Sequence, residues 1–526
     1  MLLGLEMSGV EIRPPIGRDA GGWLLAGGQA KIWLSGQPLV LALAAFMVLW
    51  TAYEIVAHGA GDVHNDMAEA YAWGQELQFG YFKHPPFWAW VTFAWFQIFP
   101  VSDWSAYLFS AVNSALGIYF VSRCAAYFLA DRRAQQLAAL LLILIPAYTF
   151  LAMKMNANTI LLSVWPAIAW TFLAVMQQPR APVALLLGLL ASCALLSKYN
   201  SAIFLLCIFF AGCVHPAARR FWLSRMPLLV VAGGLPLVAL HGWWLWNNDF
   251  LPFHYLAGLR NSGTTGAALR GINFLGAEAL YASPAILALV ALGPWTGMRR
   301  KRFALTRMNC VLLSLALGPP LLTALAGAAL GTRTPALWGL QNLFLVPVLA
   351  MGFFHFADIE LLQSRARAVI FAFLLAAVAA SPAVAWAKFR YGDRSAVDPR
   401  SELTRQLTKW WHAEFGMPLR LVGGDENYAL AATFYSPDHP SYYISGDRRL
   451  TPWITDARLR QSGALLICNE IDEVCEDEAR RVSADVGDEK TISVVKEFLG
   501  EIGQNRNFSF YVIPPVRNKT DEMKHW

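Results

Sequence analysis

The chain has 526 residues, of which 56% are hydrophobic and only 15% are charged, and its mean hydropathy is +0.41. A soluble domain carries roughly 25% charged residues, so this composition excludes an ordinary soluble enzyme. The formal charge of +6 comes from Lys and Arg in short segments between apolar runs. Because these residues do not form one solvated basic face, the charge gives no support to a nucleic-acid partner.

Apolar runs of about 18 to 24 residues recur along the chain, which is the length a helix needs to cross about 30 Å of hydrocarbon. The first run follows Arg13, Arg18 and Lys31, which predicts a retained anchor and a cytoplasmic amino terminus. We predict about eleven transmembrane helices. They lie near residues 38–57, 104–129, 134–152, 158–176, 182–198, 200–214, 226–246, 272–295, 308–330, 337–357 and 368–388.

Basic residues collect in alternate loops, as is typical of the cytoplasmic side of a membrane protein. These loops carry Arg132 and Arg133, Arg180, Arg219, Arg220 and Arg225, Arg299 to Arg302 with Lys301, Arg307, and Arg365 and Arg367. The loop 58–103 and everything after residue 390 fall on the opposite side. The tail is therefore predicted to be extracytoplasmic.

The tail is polar, and amphipathic stretches near 399–415 and 426–435 alternate there with the β-like runs LRLVG, SYYIS, ALLIC and FSFYVI. This pattern predicts a small α/β domain. Cys468 and Cys475 close a short loop within it, and the sequence leaves open whether they form a disulfide. The predicted organisation is a cytoplasmic segment 1–37, a membrane domain 38–389 with its first extracytoplasmic loop at 58–103, and a tail domain 390–526.

The first extracytoplasmic loop, which contains GDVHNDMAEAYAWGQELQFGYFKHPP, places acids, histidines and a lysine directly after a membrane span. Asp66 and Glu69 are three residues apart, so on a helix both carboxylates share one face and could serve general-base chemistry. The alternative is a solvated helix start, with Asp66 as the N-cap of a helix that begins near Met67.

The turn GYFKHPP places Lys83 and His84 before two prolines that fix the backbone. Two side chains that can carry positive charge on a rigid turn could hold a phosphate. The alternative is a surface turn whose lysine contacts lipid headgroups.

These motifs resemble the first periplasmic loop of GT-C glycosyltransferases of the family 39 type. That group includes protein O-mannosyltransferases, lipid A aminoarabinose transferases and lipopolysaccharide-core galacturonosyltransferases. The segments KMNANTILL, LLSKYN and RTPALWG resemble family segments at similar positions, so the resemblance covers roughly residues 38–390. It implies an all-α polytopic GT-C bundle, followed by the small α/β extracytoplasmic domain.

The resemblance also implies roles for individual residues. Asp66 would be the general base with Glu69 as its neighbour, and Lys83 and His84 would contact the lipid-linked phosphate. The aminoarabinose branch has an acid followed by lysine at this turn, so Lys83 followed by His84 is closer to the galacturonosyl type. Because the acid is missing, no metal ligand is assigned and a requirement for a divalent cation is left open. Asn158 stands where relatives often carry Asp, so the resemblance implies no carboxylate there, and Asn158 is a candidate for binding the donor phosphate or substrate.

Further polar residues on the same side are candidates for holding the donor phosphate or substrate. They are Lys198 and Tyr199 in LLSKYN, Arg260 in a Gly-rich loop, and Arg333 in GTRTPALWG. Lys198 has the alternative of extending to the lipid headgroups, and Arg260 that of a plain exposed charge. Arg333 suits bidentate pairing with a phosphate or carboxylate.

The sequence therefore predicts a bacterial inner-membrane glycosyltransferase with a cytoplasmic amino terminus and a periplasmic tail. It would move one sugar, such as galacturonic acid, from a polyprenyl-phosphate donor to a hydroxyl of a lipid or glycan acceptor, the lipopolysaccharide core or lipid A. Inversion at the anomeric carbon is implied by the family. The rival interpretation is a transporter or flippase of lipids or polyprenyl-linked sugars, which predicts ionisable residues deep in the spans and repeat symmetry.

Overall fold

The structure is a computed structural model that describes residues 37–258, 264–331, 334–444, 447–483 and 489–516. Two predicted site residues, Arg260 and Arg333, lie outside the described residues. So does the predicted amino-terminal segment, except for its last residue.

The described part of the membrane domain is helical. Its helices are α1 (Gln37–Ala57), α2 (Asn65–Glu76), α3 (Phe87–Phe96), α4 (Asp103–Ala125), α5 (Arg132–Leu140), α6 (Leu161–Gln177), α7 (Ala181–Leu195), α8 (Ser201–Val214), α9 (Ala218–Trp222), α10 (Met226–Asn247), α11 (Leu251–Gly258), α12 (Thr264–Leu292), α13 (Arg307–Leu330), α14 (Val346–Gly352) and α15 (Ile359–Arg390). Short 3₁₀ segments are Leu141–Leu144, Pro146–Tyr148, Ala152–Lys154, Pro294–Thr296 and Ala336–Leu345. The strands β1 (Arg299–Arg300) and β2 (Phe354–His355) form an antiparallel pair.

Each of the predicted spans coincides with a helical segment, and the predicted fold class is confirmed. By length and composition, 6 described helices could cross a membrane, or 7 if a bent pair at Arg132–Leu144 and Pro146–Lys154 counts as one span. Several of the other predicted spans are helices of 14 to 17 residues, about 21 to 26 Å long at 1.5 Å per residue. The predicted number of about eleven spans stays a prediction, because such helices are shorter than the hydrocarbon layer is thick.

The bend between Arg132–Leu144 and Pro146–Lys154 has a local cause, and it positions a segment that belongs to the site. Pro146 disfavours helical backbone in the residue before it, and Ile145 is extended with φ −83° and ψ 120°. The two halves meet at 81°. As a result the chain turns away from the helix axis and leads into the segment MKMNANT.

The tail forms the predicted small α/β domain. Its elements are α16 (Arg394–Val397), α17 (Arg400–Phe415), β3 (Leu421–Gly424), α18 (Glu426–Tyr435), β4 (Ser441–Ile444), α19 (Asp456–Ser462), β5 (Ala464–Asn469), α20 (Glu473–Ser483), β6 (Glu489–Val494), β7 (Glu497–Phe498), β8 (Glu501–Ile502) and β9 (Arg506–Ile513). Five strands form one sheet in the order β4-β3-β5-β9-β6, in which β3 pairs in parallel with β4 and β5, and β9 runs antiparallel to β5 and β6. Cys468 and Cys475 form a disulfide that ties β5 to α20.

Strands β3, β4, β5 and β9 are buried on both faces, to which their side chains point alternately, whereas the edge strand β6 exposes every second residue. Val422 and Ile467 belong to a core that runs from the membrane bundle into the tail, whereas Leu421 and Leu466 belong to a second core under α20. Helix α18 packs directly on α2 of the first loop. The tail is therefore placed against the segment in which the sequence predicts the chemistry, although the predicted domain boundary at residue 390 stays a prediction.

Candidate functional site

The first loop presents Asp66 in the first turn of α2. The helix begins at Asn65, and its N-cap is His64, whose Nδ1 accepts a hydrogen bond of 3.2 Å from the backbone N–H of Asp66. Asp66 as an N-cap is therefore wrong, and its carboxylate is available for other contacts. Burial lowers the pKa of His64 although Asp66 opposes the shift, which fits a neutral ring whose Nδ1 accepts.

The Asp66 carboxylate is held by Asn156, a residue that sequence reasoning missed. Asn156 Nδ2 donates to Asp66 Oδ2 at 2.7 Å, and Asp66 Oδ1 lies 3.6 Å from His64 Nδ1. The Asp66 side chain is 36% exposed, so it is neither enclosed nor free in bulk solvent. This combination suits a base that must meet an incoming hydroxyl.

The Asn156 side chain has little freedom. Its Oδ1 accepts from the backbone N–H groups of Asn158 and Thr159, at 2.9 and 3.0 Å, so its amide nitrogen must face Asp66. Met155, directly before it, has a positive φ of 32°, a strained conformation for a residue with a Cβ. Strained backbone of this kind is concentrated at functional sites.

Asn158 connects this turn to Lys198. Lys198 Nζ donates to Asn158 Oδ1 at 2.5 Å and lies 4.2 Å from the ring centre of Trp338. Lys198 is 9% exposed, so the alternative that it extends to the lipid headgroups is wrong. Burial lowers the pKa of this ammonium group to about 7, although Asp66 opposes the shift. A buried lysine with so little compensating charge is a candidate for binding an incoming anion.

The hydroxyl of Tyr199, the next residue, contacts helix α10. Its hydroxyl lies 2.9 Å from His241 Nε2, and His241 Nδ1 lies 2.6 Å from the carbonyl oxygen of Phe79. Since a carbonyl only accepts, Nδ1 carries the proton and Nε2 accepts from the tyrosine hydroxyl. The described contacts of Tyr199 therefore join the lysine turn to α10.

Lys83 lies between two carboxylates. Its Nζ is 2.5 Å from Glu69 Oε1 and 2.8 Å from Glu426 Oε1, and Glu426 comes from the tail. Burial alone would lower the pKa of Lys83, but the two carboxylates outweigh it and raise that pKa. Lys83 thus remains a cation, and the alternative of a lysine bound to headgroups is wrong.

His84 completes the turn without adding a positive charge. Burial, with Lys198 and Lys83 nearby, lowers the pKa of its ring well below the ordinary value. The ring lies edge-on to Trp73 and Trp88, with centres 6.4 and 6.1 Å apart. A neutral imidazole can only donate one hydrogen bond to a phosphate, whereas Lys83 and Lys198 can bring charge.

Arg400 of the tail contacts the loop segment 62–65, which directly precedes Asp66. It is 5% exposed, its Nη2 donates to the Val63 carbonyl at 2.9 Å, its Nη1 donates to Asn65, and its Nε lies 3.5 Å from Asp62. The hydroxyl of Tyr435 accepts from the Val63 N–H at 2.7 Å. The tail therefore fixes the loop that carries the candidate base, and no motif in the sequence pairs these residues.

A cavity of about 1090 Å³ lies beside Asp66. Its walls come from the ends of α1 and α15, from the first loop, and from the tail near β3, α18 and α20. Asp66 lies on its wall, whereas Asn156, which contacts this carboxylate, and Lys198, which contacts Asn158, are not among the residues that line the cavity. Among the residues the structure describes, no group of three or more His, Cys, Asp or Glu side chains could hold a metal ion.

Comparisons with known proteins agree with the predicted resemblance. A family model described as dolichyl-phosphate-mannose-protein mannosyltransferase matches residues 83–244, a stretch that includes Lys83, Asn158 and Lys198. The lipopolysaccharide core galacturonosyltransferase RgtA of Rhizobium johnstonii is 27% identical over 209 residues, which are 40% of this chain and 42% of that relative. The match therefore spans less than half of the relative's length.

Two solved structures share the fold. ArnT from Cupriavidus metallidurans bound to undecaprenyl phosphate has a TM-score of 0.55 at 15% identity, and its apo state has a TM-score of 0.56 at 16% identity. Each comparison covers 90% of this chain and 98% of the other. The predicted ArnT-like GT-C fold is thereby confirmed.

Proposed function

We propose that this chain is a multi-pass inner-membrane glycosyltransferase that moves one sugar from a polyprenyl-phosphate donor to a hydroxyl of an envelope acceptor. The acceptor is the lipopolysaccharide core or lipid A, and the sugar is a uronic acid such as galacturonic acid. The amino terminus lies in the cytoplasm and the tail in the periplasm. The similarity to a core galacturonosyltransferase and the fold shared with ArnT support this reading.

One observation carries the proposal. The Asp66 carboxylate is oriented by Asn156 on the wall of a large cavity, and a buried lysine, Lys198, lies on the other side of the same turn. This transfer needs a general base next to a space that admits the acceptor hydroxyl. It also needs a cation shielded from water that can stabilise the departing phosphate.

The reaction follows from these positions. Asp66 takes the proton of the acceptor hydroxyl while the hydroxyl oxygen forms a bond to the anomeric carbon of the donor sugar. The bond from that carbon to the phosphate oxygen breaks, its electron pair stays with the phosphate, and the configuration inverts. Lys198 and Lys83 stabilise the negative charge of the departing polyprenyl phosphate.

The remaining predicted residues have supporting roles in this scheme. Glu69 holds Lys83, Asn158 orients Lys198, and His84 donates a hydrogen bond to the phosphate. Tyr199 fixes the lysine turn through His241. Arg260 and Arg333 are proposed to add positive charge for the phosphate or a sugar carboxylate.

The substitution Asp66→Asn tests the proposal. An amide oxygen can still accept from Asn156, so the fold is retained while the base is lost. We expect transfer to slow by about 10² to 10⁴-fold, the usual contribution of a general base. Mass spectrometry of envelope lipids should then show one lipid lacking a single sugar.

The matched control is Glu414→Gln, an exposed acid on α17 of the tail, which should leave the lipid profile unchanged. Both variants are compared at equal abundance in the membrane. A wild-type lipid profile in cells that carry only the Asp66→Asn protein contradicts the proposal and favours a transport function.

A further inference from the structure

A second group of polar side chains lines the cavity where α1 and α15 end. Lys388 Nζ donates to His58 Nε2 at 3.0 Å, and the same ring nitrogen lies 3.5 Å from Glu54 Oε2. All three residues line the cavity that borders Asp66. None of them has a role in the transfer step described above.

The hydrogen bonds of this group are incomplete. Because Nε2 of His58 accepts from Lys388, the ring proton is on Nδ1, and this nitrogen is buried with no hydrogen-bond partner among the described residues. Burial first, and then the Lys388 ammonium, lower the pKa of His58 to about 3 although Asp393 opposes them, which keeps the ring neutral. The Glu54 side chain, in a residue only 1% exposed, interacts with Trp50 on its own helix, but neither of its carboxyl oxygens makes a hydrogen bond of good geometry among the described residues.

Such groups call for a ligand or ordered water, since buried polar atoms without a partner are costly and uncommon. Here one donor, His58 Nδ1, and two acceptors, the carboxyl oxygens of Glu54, lie together without a well-formed hydrogen bond. A hydroxyl group can bind the donor and an acceptor at the same time, because it donates one hydrogen bond and accepts others. A phosphate cannot donate to the Glu54 oxygens when it is ionised.

The charge of the surrounding wall also favours hydroxyls over phosphates. The cavity is lined by the carboxylates of Glu54, Asp66, Asp425, Asp472 and Glu478 among others, whereas its cations are fewer. Asp425 and Asp472 already cap helix or turn N–H groups, but Glu478 has no described ion pair. A volume of about 1090 Å³ is at the upper end of small-molecule sites and accommodates more than one sugar ring.

We infer that Glu54, His58 and Lys388 form a saccharide subsite that binds an uncharged, hydroxyl-bearing sugar of the acceptor, next to the hydroxyl that Asp66 deprotonates. The inference rests on the proposed function and makes it more specific. It separates the two substrates: the acceptor sugar lies in the cavity, and the donor phosphate lies with Lys83 and Lys198. It also assigns the tail a part in acceptor binding, since the opposite wall belongs to the tail.

The substitution Glu54→Gln tests the subsite, because it keeps the shape of the side chain and replaces the carboxyl group by an amide. We expect the KM for the acceptor to rise about 10-fold, as for the loss of one hydrogen bond to a buried polar group, while the KM for the donor stays within twofold. The matched control is Glu473→Gln, an exposed acid on α20 that does not line the cavity, and it should change neither KM.

The probe for the ligand class is the deacylated core oligosaccharide, prepared from the cells' own lipopolysaccharide and used with and without its phosphates removed. The dephosphorylated form should inhibit transfer by the wild-type protein and should inhibit the Glu54→Gln protein about 10-fold less well. An acceptor KM within twofold of wild type in a Glu54→Gln protein that has a normal melting temperature overturns the inference. So does inhibition by the phosphorylated form only.

The test separates failure of the subsite from failure of the proposed function. If wild-type membranes transfer no sugar, the proposed function fails. Binding of the dephosphorylated oligosaccharide to the full-length protein in detergent, measured by saturation-transfer NMR, then still decides the subsite. Binding that Glu54→Gln weakens supports the subsite, and absence of binding to the wild-type protein overturns it.

Discussion

The buried ammonium group of Lys198 gives the site a dependence on pH that can be measured. Its pKa falls from 10.5 to about 7 because the group is buried, which corresponds to about 5 kcal/mol in favour of the neutral form. The lysine is charged below pH 7 and loses its charge as the pH rises through 7. Its protonated fraction falls from about one half at pH 7 to about one hundredth at pH 9.

If Lys198 must be charged to hold the donor phosphate, kcat/KM for the donor should fall up to about 50-fold between pH 7 and pH 9. The donor phosphodiester stays ionised across this window, so the change reports the protein. The substitution Lys198→Arg keeps a positive charge at all these pH values and can stack on Trp338, so its profile should be flat. Lys198→Met should be flat as well, but with a lower value at pH 6.

The assay is the initial rate of sugar transfer by purified protein in nanodiscs, measured from pH 6 to pH 9 at several donor concentrations. Separate KM and kcat values for the acceptor show whether the effect belongs to the donor. A flat wild-type profile refutes the reasoning, and so does a Lys198→Arg profile that falls in parallel with the wild type.

Three further predictions concern the support of the site. Asn156→Asp keeps the Oδ1 contacts with Asn158 and Thr159 but removes the N–H that orients the base, and we expect kcat to fall by at least about 10-fold, equivalent to a net hydrogen bond to a charged group, in steady-state kinetics. Arg400→Met removes the hydrogen bonds to Val63 and Asn65 and one of the two cations beside the buried Asp62, and should destabilise the protein by about 1 to 3 kcal/mol. Arg405→Met, which breaks only an exposed pair on the same helix, should leave the thermal unfolding temperature nearly unchanged, and equal effects of the two would contradict this. Gly188→Ala should lower the unfolding temperature, because the added Cβ would lie 1.8 Å from a backbone oxygen of α10. Such overpacking costs about 1 to 3 kcal/mol or more. Gly242→Ala is the control and should be tolerated, since a Cβ there meets no atom within 4 Å.

The sequence alone predicted the helices of the bundle and the elements of the tail. Both depend on patterns that are local in the chain: apolar runs long enough to span a membrane, and the change to shorter amphipathic and β-like stretches after residue 390. The turn with Lys83 and His84 and the acid Asp66 were found because they lie together in one loop. The number of spans was not determined, since helices such as α8, with 14 residues, are too short to be assigned by length.

Only the tertiary structure decided the partners of these residues. Asn156 meets Asp66 across 90 positions, and Glu426 meets Lys83 across 343. The sequence does not encode such contacts in any spacing, because they depend on how the bent pair at Pro146 turns the chain and on where the tail packs against α2. The fold also decided charge state. Burial lowers the pKa of Lys198 to about 7 and keeps His84 neutral, whereas the sequence shows only that these side chains can carry a positive charge.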